Sequence, residues 1–225
     1  MLSHPRQFDL AIGKVLGKLD ELGLRDNTLV FFTSDNGGLS TSEGWPTSNL
    51  PLRGGKGWMY EGGIREPFLV RWPSVIKPGS IVNTPVSSPD IFPTLLEVAN
   101  VTRTPGQTLD GLSLVPVFRG EGLQERPLFW HYPHYGNQGG APAAAIRSGD
   151  WKLIWWFEDD RFELFNLAKD LGETTNLIAP ESARAHALQL ELQAWQKEVA
   201  AKMPSINKKF DPSKTNGRFA ARKLD

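Results

Sequence analysis

The segment Ser34-Asp35-Asn36-Gly37-Gly38 constrains this 225-residue chain more than any other. It follows Thr28-Leu29-Val30-Phe31-Phe32-Thr33, an apolar run without alternation that is rich in β-branched and aromatic residues. That pattern reads as a buried parallel strand. Open α/β sheets gather ligands at the carboxyl ends of their strands, and here a carboxylate and an amide stand side by side at such an end. Two hard oxygen donors suit Ca2+ or Mg2+. Asp-Asn-Gly is also ordinary Asx-turn chemistry, and taken alone the pentapeptide favours the turn.

The residues that follow reverse that balance. Pro51-Leu52-Arg53-Gly54-Gly55-Lys56-Gly57 leads into Tyr60-Glu61-Gly62-Gly63-Ile64-Arg65-Glu66-Pro67, and Lys56 lies 20 residues after Asn36. Gly54, Gly55, Gly62 and Gly63 allow close backbone approach and positive φ. In this order the motifs resemble the C-terminal part of a type I, formylglycine-dependent sulfatase, arylsulfatase-like, over roughly residues 5–200. The resemblance implies an α/β, alkaline-phosphatase-like fold with a small antiparallel sheet and a C-terminal helix. It further implies that Asp35 and Asn36 bind a divalent metal, Ca2+ with Mg2+ as the alternative, and that Lys56 is a catalytic residue contacting the substrate sulfate. The chemistry is coherent: an ammonium and a hard cation stabilise the charge that moves onto the bridging oxygen as a sulfate ester breaks. Arg53, Glu61 and Arg65 are expected to scaffold the loop as ion pairs, and Tyr60 to pack.

One departure from the family pattern is equally informative. The family nucleophile is a formylglycine made from the Cys or Ser of a C/S-x-P-x-R motif, and this chain has no cysteine. Its nearest serine counterpart, Ser87-Ser88-Pro89-Asp90-Ile91, lacks the arginine and reads as a helix start instead. The resemblance therefore places the formylglycine, two further Asp ligands, a Lys and a His in an N-terminal half that precedes these residues. The expected activity of the intact protein is that of a sulfuric ester hydrolase releasing inorganic sulfate from a sulfated carbohydrate. The alternative is an inactive fragment or a non-catalytic binder of sulfated glycans. A phosphatase or phosphonate hydrolase of the same superfamily is a weaker rival.

Formal net charge is zero and hydrophobic residues make up 40%, which supplies a sizeable core and points to neither nucleic acid nor an anionic membrane surface. The expected partner is a sulfated small molecule or glycan. The compartment is left open. Apolar spacing predicts a first helix over 5–22, with Gly23 ending it. It predicts a strand over 68–72, a helix over 89–99 and a helical turn at 115–118, with a further turn anchored by Asp110. Short strands are expected at 127–132, 143–148, 151–157 and 162–166, and a last helix from about residue 180 whose stripe is Leu188, Leu192, Trp195 and Val199. These elements divide into a catalytic-domain portion at 1–122, a subdomain at 123–202 and a mobile tail at 203–225. Within the subdomain, His131 and His134 are candidate substrate contacts, set against ordinary packing at a strand end. Trp155 and Trp156 are expected mainly in the core. Glu163, Asp170, Glu173 and Asn176 are expected to fix turns.

Overall fold

The computed structural model describes residues 3–41 and 47–209. The chain forms two compact units, residues 1–33 with 68–124 and residues 34–67 with 125–225. These units differ from consecutive parts meeting at 122, since segment 34–67 clusters with the second unit. Its glycines lack the side chains that would hold it off neighbouring backbone.

In the first unit, α1 (Ser3–Glu21) ends at Gly23 with φ +67°, and the Leu24 N–H reaches back to the Leu19 carbonyl at 2.9 Å. This is the left-handed cap that glycine supplies without strain. Strand β1 (Val30–Thr33) pairs with β2 (Phe68–Arg71) antiparallel, with Phe31 opposite Val70. The parallel reading is therefore corrected. A parallel pair needs a crossover that returns the chain in the same direction, and the only helix described between these strands is α2 (Glu61–Ile64), a single turn. The apolar run also lies less buried than it reads, with Phe32 36% and Leu69 57% exposed. Phe31 packs on Phe68 and Phe118 at centroid distances of 5.8 and 6.1 Å.

Helix α3 (Ile91–Val98) follows a 3-10 turn at Ser88–Asp90 with Pro89 in its first turn. Asp90, fully buried, accepts from the N–H groups of Ser87 and Leu112 at 2.8 Å each. Asp90, rather than Asp110, therefore anchors the 110–114 turn. A side chain already facing the first turn of a helix satisfies orphan donors at two points. Helix α4 (Val115–Phe118) closes the unit.

The second unit is built on an antiparallel meander, β3 (Leu128–Tyr132), β4 (Ala143–Ser148), β5 (Trp151–Trp156) and β6 (Arg161–Asn166). Period-2 alternation gives the sheet two distinct faces. One buries Ala143, Ala145, Ile154, Trp156 and Phe165 against Met59 and Tyr60. The other buries Ala144, Ile146, Leu153 and Leu164 against Leu188 and Leu192 of α5 (Ser182–Glu198), as the helical stripe leads one to expect. Trp195 stacks on Phe129 at 4.7 Å, whereas Val199 is exposed, so the stripe stops one turn earlier than read. Asn176 Oδ1 accepts from the Leu164 and Ile178 N–H groups, and Asp170 from those of Thr174 and Thr175. Of the expected tail, residues 210–225 lie outside the described residues.

Candidate functional site

Asp35 and Asn36 leave β1 in a tight turn. Ser34 Oγ donates to the Asn36 carbonyl at 2.8 Å, and Asn36 Nδ2 donates to Asp35 Oδ2 at 2.6 Å. Asp35 is exposed and Asn36 half-buried. The next residue, Gly37, donates its N–H to the Gly63 carbonyl at 3.0 Å. A Cβ at Gly37 would overlap the Gly62 carbonyl oxygen, so only glycine lets these two strands of backbone touch. Lys56 N–H donates to the Gly38 carbonyl at 3.2 Å. Around it, Gly54 and Gly57 take positive φ, +73° and +87°, as the loop's bends require. Asn49 Nδ2 reaches the Gly38 and Gly54 carbonyls at 2.8 and 3.1 Å. The Asp35–Asn36 turn and the Lys56 loop are thus one hydrogen-bonded backbone assembly.

The donors at the turn fit a hard cation in kind, being a carboxylate and an amide oxygen. Nearby, Glu66 Oε1 is buried with no hydrogen-bond partner. Burial and the charge of Asp35 push the Glu66 carboxyl above its ordinary value. Among the described residues no three His, Cys, Asp or Glu side chains group to hold a metal. Asp35 and Asn36 therefore match part of a donor set.

A second layer holds the loop from beneath. Lys152 is 0% exposed, Glu173 0% and Glu61 2%. The Lys152 ammonium donates to Glu61 Oε1 at 2.9 Å and pairs with Glu173 Oε1 at 2.8 Å, while Glu173 Oε2 accepts the Glu61 N–H at 2.6 Å. Arg65 and Arg147 lie 3.6 and 3.8 Å from Glu61 Oε2. Burial pushes the Glu173 carboxyl up despite the neighbouring Lys152. Arg53 donates to the Glu173 carbonyl at 2.8 Å and lies 3.9 Å above the Tyr60 ring. Tyr60 in turn donates to Glu163 Oε2 at 2.8 Å, and burial followed by the Glu163 charge raises its phenol. Glu61 and Arg65 form the expected ion pair, Arg53 instead anchors to the Glu173 carbonyl and the Tyr60 ring, and the centre of the group is Lys152, which the sequence reading passed over. The available signal was a lone lysine inside the apolar strand Trp151–Trp156.

The two histidines part company. His131 sits opposite Ala144 in the β3–β4 register, on the face covered by α5. Its Nδ1 and Nε2 meet Gln196 Nε2 and the Lys202 carbonyl at 3.1 and 3.0 Å. His131 is thus engaged on the α5 side of the sheet, and alternation turns it away from the face that packs on Met59 and Tyr60. Trp130 and Tyr132 take the loop's face. His134 is exposed, its ring 4.0 Å from that of Tyr132. The chain after His134 returns to the loop: Trp58 Nε1 donates to the Gln138 carbonyl at 3.2 Å, and Gly140 abuts the Gly57 carbonyl.

Comparison with known proteins places the chain in a family. The family model for the C-terminal region of N-sulphoglucosamine sulphohydrolase matches residues 55–200, and the sulfatase family model matches residues 3–101. A sulfatase of Formosa agariphila is 39% identical over 213 residues, covering 84% of this chain and 38% of its own length. The crystal structure of Ps i-CgsB in complex with k-i-k-neocarrahexaose superposes with a TM-score of 0.72 at 31% identity, over 83% of this chain and 40% of that one. The structure of BT4656 in complex with its substrate D-glucosamine-2-N,6-O-disulfate gives a TM-score of 0.67 at 30% identity, over 87% and 39%. The chain thus spans between 38% and 40% of these relatives' lengths. On family model, sequence identity and fold together, the chain belongs to the sulfatase family.

Proposed function

We propose that the intact protein hydrolyses a sulfate ester on a carbohydrate and releases inorganic sulfate. The observation that carries this is the pair of backbone bonds, Gly37 N–H to Gly63 and Lys56 N–H to Gly38, which put the carboxylate–amide turn and the lysine on one assembly. Lys56 would bind the sulfate oxygens as a compact cation, in place before the reaction begins. Asp35 and Asn36 would hold Ca2+ or Mg2+. When bound, that cation supplies Lewis-acid stabilisation of the sulfuryl oxygens. The nucleophile is not among these residues, since the chain has no cysteine and no serine followed by Pro-x-Arg; a formylglycine is the family's expected group. Support for a carbohydrate comes from the two saccharide complexes among the relatives and from His134, exposed at the start of the loop that packs on Gly57 and Trp58.

The test is sulfate release from sulfated saccharides by the intact protein and its Lys56→Ala variant. Loss of one preorganised charge-stabilising donor lowers kcat by about 10²–10³, and that loss is expected here. Full turnover by a folded Lys56→Ala variant would remove Lys56 from the mechanism. Binding of sulfated glycan by the intact protein without any turnover would make it a glycan binder instead.

A further inference from the structure

We propose that Lys152 is the positioning residue of this site, a buried clamp that sets where the Lys56 loop and the Asp35–Asn36 turn lie. The inference rests on the sulfate-site reading above.

Lys152 reaches its carboxylates from the inward face of β5, the face that also carries Ile154 and Trp156. One partner, Glu61, opens α2 inside the segment joining Lys56 to the glycine pair Gly62-Gly63. The other, Glu173, lies in a turn where it takes φ +51°. Glu173 holds Glu61 twice over, through the Glu61 N–H and through the shared ammonium. Both acids and the lysine are shut off from water.

A buried ionic group of this kind adds little net stability over well-packed apolar residues, because desolvation offsets the Coulomb attraction. What it does provide is directional. Three charges joined by three contacts, at 2.9, 2.8 and 2.6 Å, admit few alternative placements, whereas methyl groups would slide.

The direction leads to the site. Glu61 continues into Gly62, whose N–H bonds to the Arg53 carbonyl at 2.8 Å, and Gly63, whose carbonyl accepts from Gly37. Arg53 is itself tied to the Glu173 carbonyl. Both ends of the 53–63 loop are therefore fastened to the Lys152 group, and Lys56 lies between them. The Gly37 bond passes the same constraint to the residues beside Asp35 and Asn36. Lys152 needs no contact with substrate to act. It fixes the backbone from which the sulfate and metal contacts project, and sub-ångström placement of such groups governs how well they bind a developing charge.

The experiment is 15N relaxation on the intact protein, wild type against Lys152→Met, with inorganic sulfate titrated into both and the melting temperature recorded. A clamp predicts that backbone order parameters at 36–38 and 53–63 fall from about 0.85 to below about 0.6, while those of β4 and β5 stay rigid. It also predicts at least a tenfold weaker sulfate Kd. A lower melting temperature with loop order and sulfate Kd unchanged would mean that Lys152 serves stability alone, and would overturn the proposal. Where Lys152→Met does not fold, Glu173→Gln is read by the same criteria; it keeps an acceptor for the Glu61 N–H and removes one charge. A wild-type chain that binds no sulfate, yet loses loop order in the variant, refutes the sulfate-site reading and leaves the clamp standing. Sulfate binding that is equal in both proteins, with order retained, refutes the clamp and leaves the sulfate site.

Discussion

The unit formed by residues 34–67 and 125–225 buries both faces of its sheet, one against Met59 and Tyr60 and the other against α5. The unit formed by residues 1–33 and 68–124 buries few large apolar side chains, chiefly Leu114, Val115 and Phe118, and leaves Phe8, Val15, Leu69, Phe92 and Leu95 exposed. Burial of apolar area is the main favourable term in folding, so stability concentrates in the first of these. It is also the unit that carries Asp35, Asn36 and Lys56. The candidate site therefore rests on the best-packed part of the chain, as the proposed placement of charges would require.

The contrast is most exposed to failure at its leucines. Leu192, fully buried in α5, should cost about 2–5 kcal/mol when replaced by Ala. Leu95, 46% exposed in α3, should cost less than about 1 kcal/mol. Urea unfolding of the two variants measures both, and equal losses would erase the distinction.

Glycines sharpen it. Gly37→Ala drives a Cβ into the Gly62 carbonyl and Gly63 Cα, backbone that cannot swing away, and should cost about 1–3 kcal/mol. Gly17, inside α1 with nothing within 4 Å of a built Cβ, should gain about 0.5–1 kcal/mol as Ala. Thermal melts read the opposite signs directly, and a destabilising Gly17→Ala would show that α1 is more tightly packed than described.

The smallest effect concerns pH. Burial raises the Asp170 carboxyl, but the N–H groups of Thr175 and Thr174 and the Thr174 hydroxyl outweigh it, leaving its pKa below the ordinary value. A carboxylate depressed on folding contributes stability above its unfolded pKa, about 3.9, and loses it as pH falls through the lower folded value. The 170–175 turn should thus hold at pH 5 and loosen on acidification below about pH 4. Amide shifts of Thr174 and Thr175 would follow that titration in the wild type and be absent from it in Asp170→Asn.

Much of this was legible beforehand, for physical reasons that differ by element. The subdomain strands and α5 announced themselves because period 2 and period 3.6 leave distinct apolar patterns. The loop at 53–65 was legible through its resemblance to the sulfatase motif, whose glycines stand where backbone meets backbone. Other features were not legible, for equally physical reasons. The 28–33 run gave its apolarity correctly, but strand direction depends on the partner, and apolarity does not encode the partner. The engagement of His131 was not legible, because its partners Gln196 and Lys202 are distant in sequence. Lys152 went unnoticed because its partners Glu61 and Glu173 are distant in sequence. A buried charge is recognisable only when its counter-charges are brought to it.

The most direct measurement is a crystal structure of the intact protein with inorganic sulfate and Ca2+. The account predicts a sulfate oxygen within hydrogen-bond reach of Lys56 Nζ, about 2.7–3.2 Å, and a cation at about 2.3–2.6 Å from oxygens of Asp35 and Asn36. A well-ordered sulfate held elsewhere, with Lys56 turned to solvent and no cation at the turn, would contradict it.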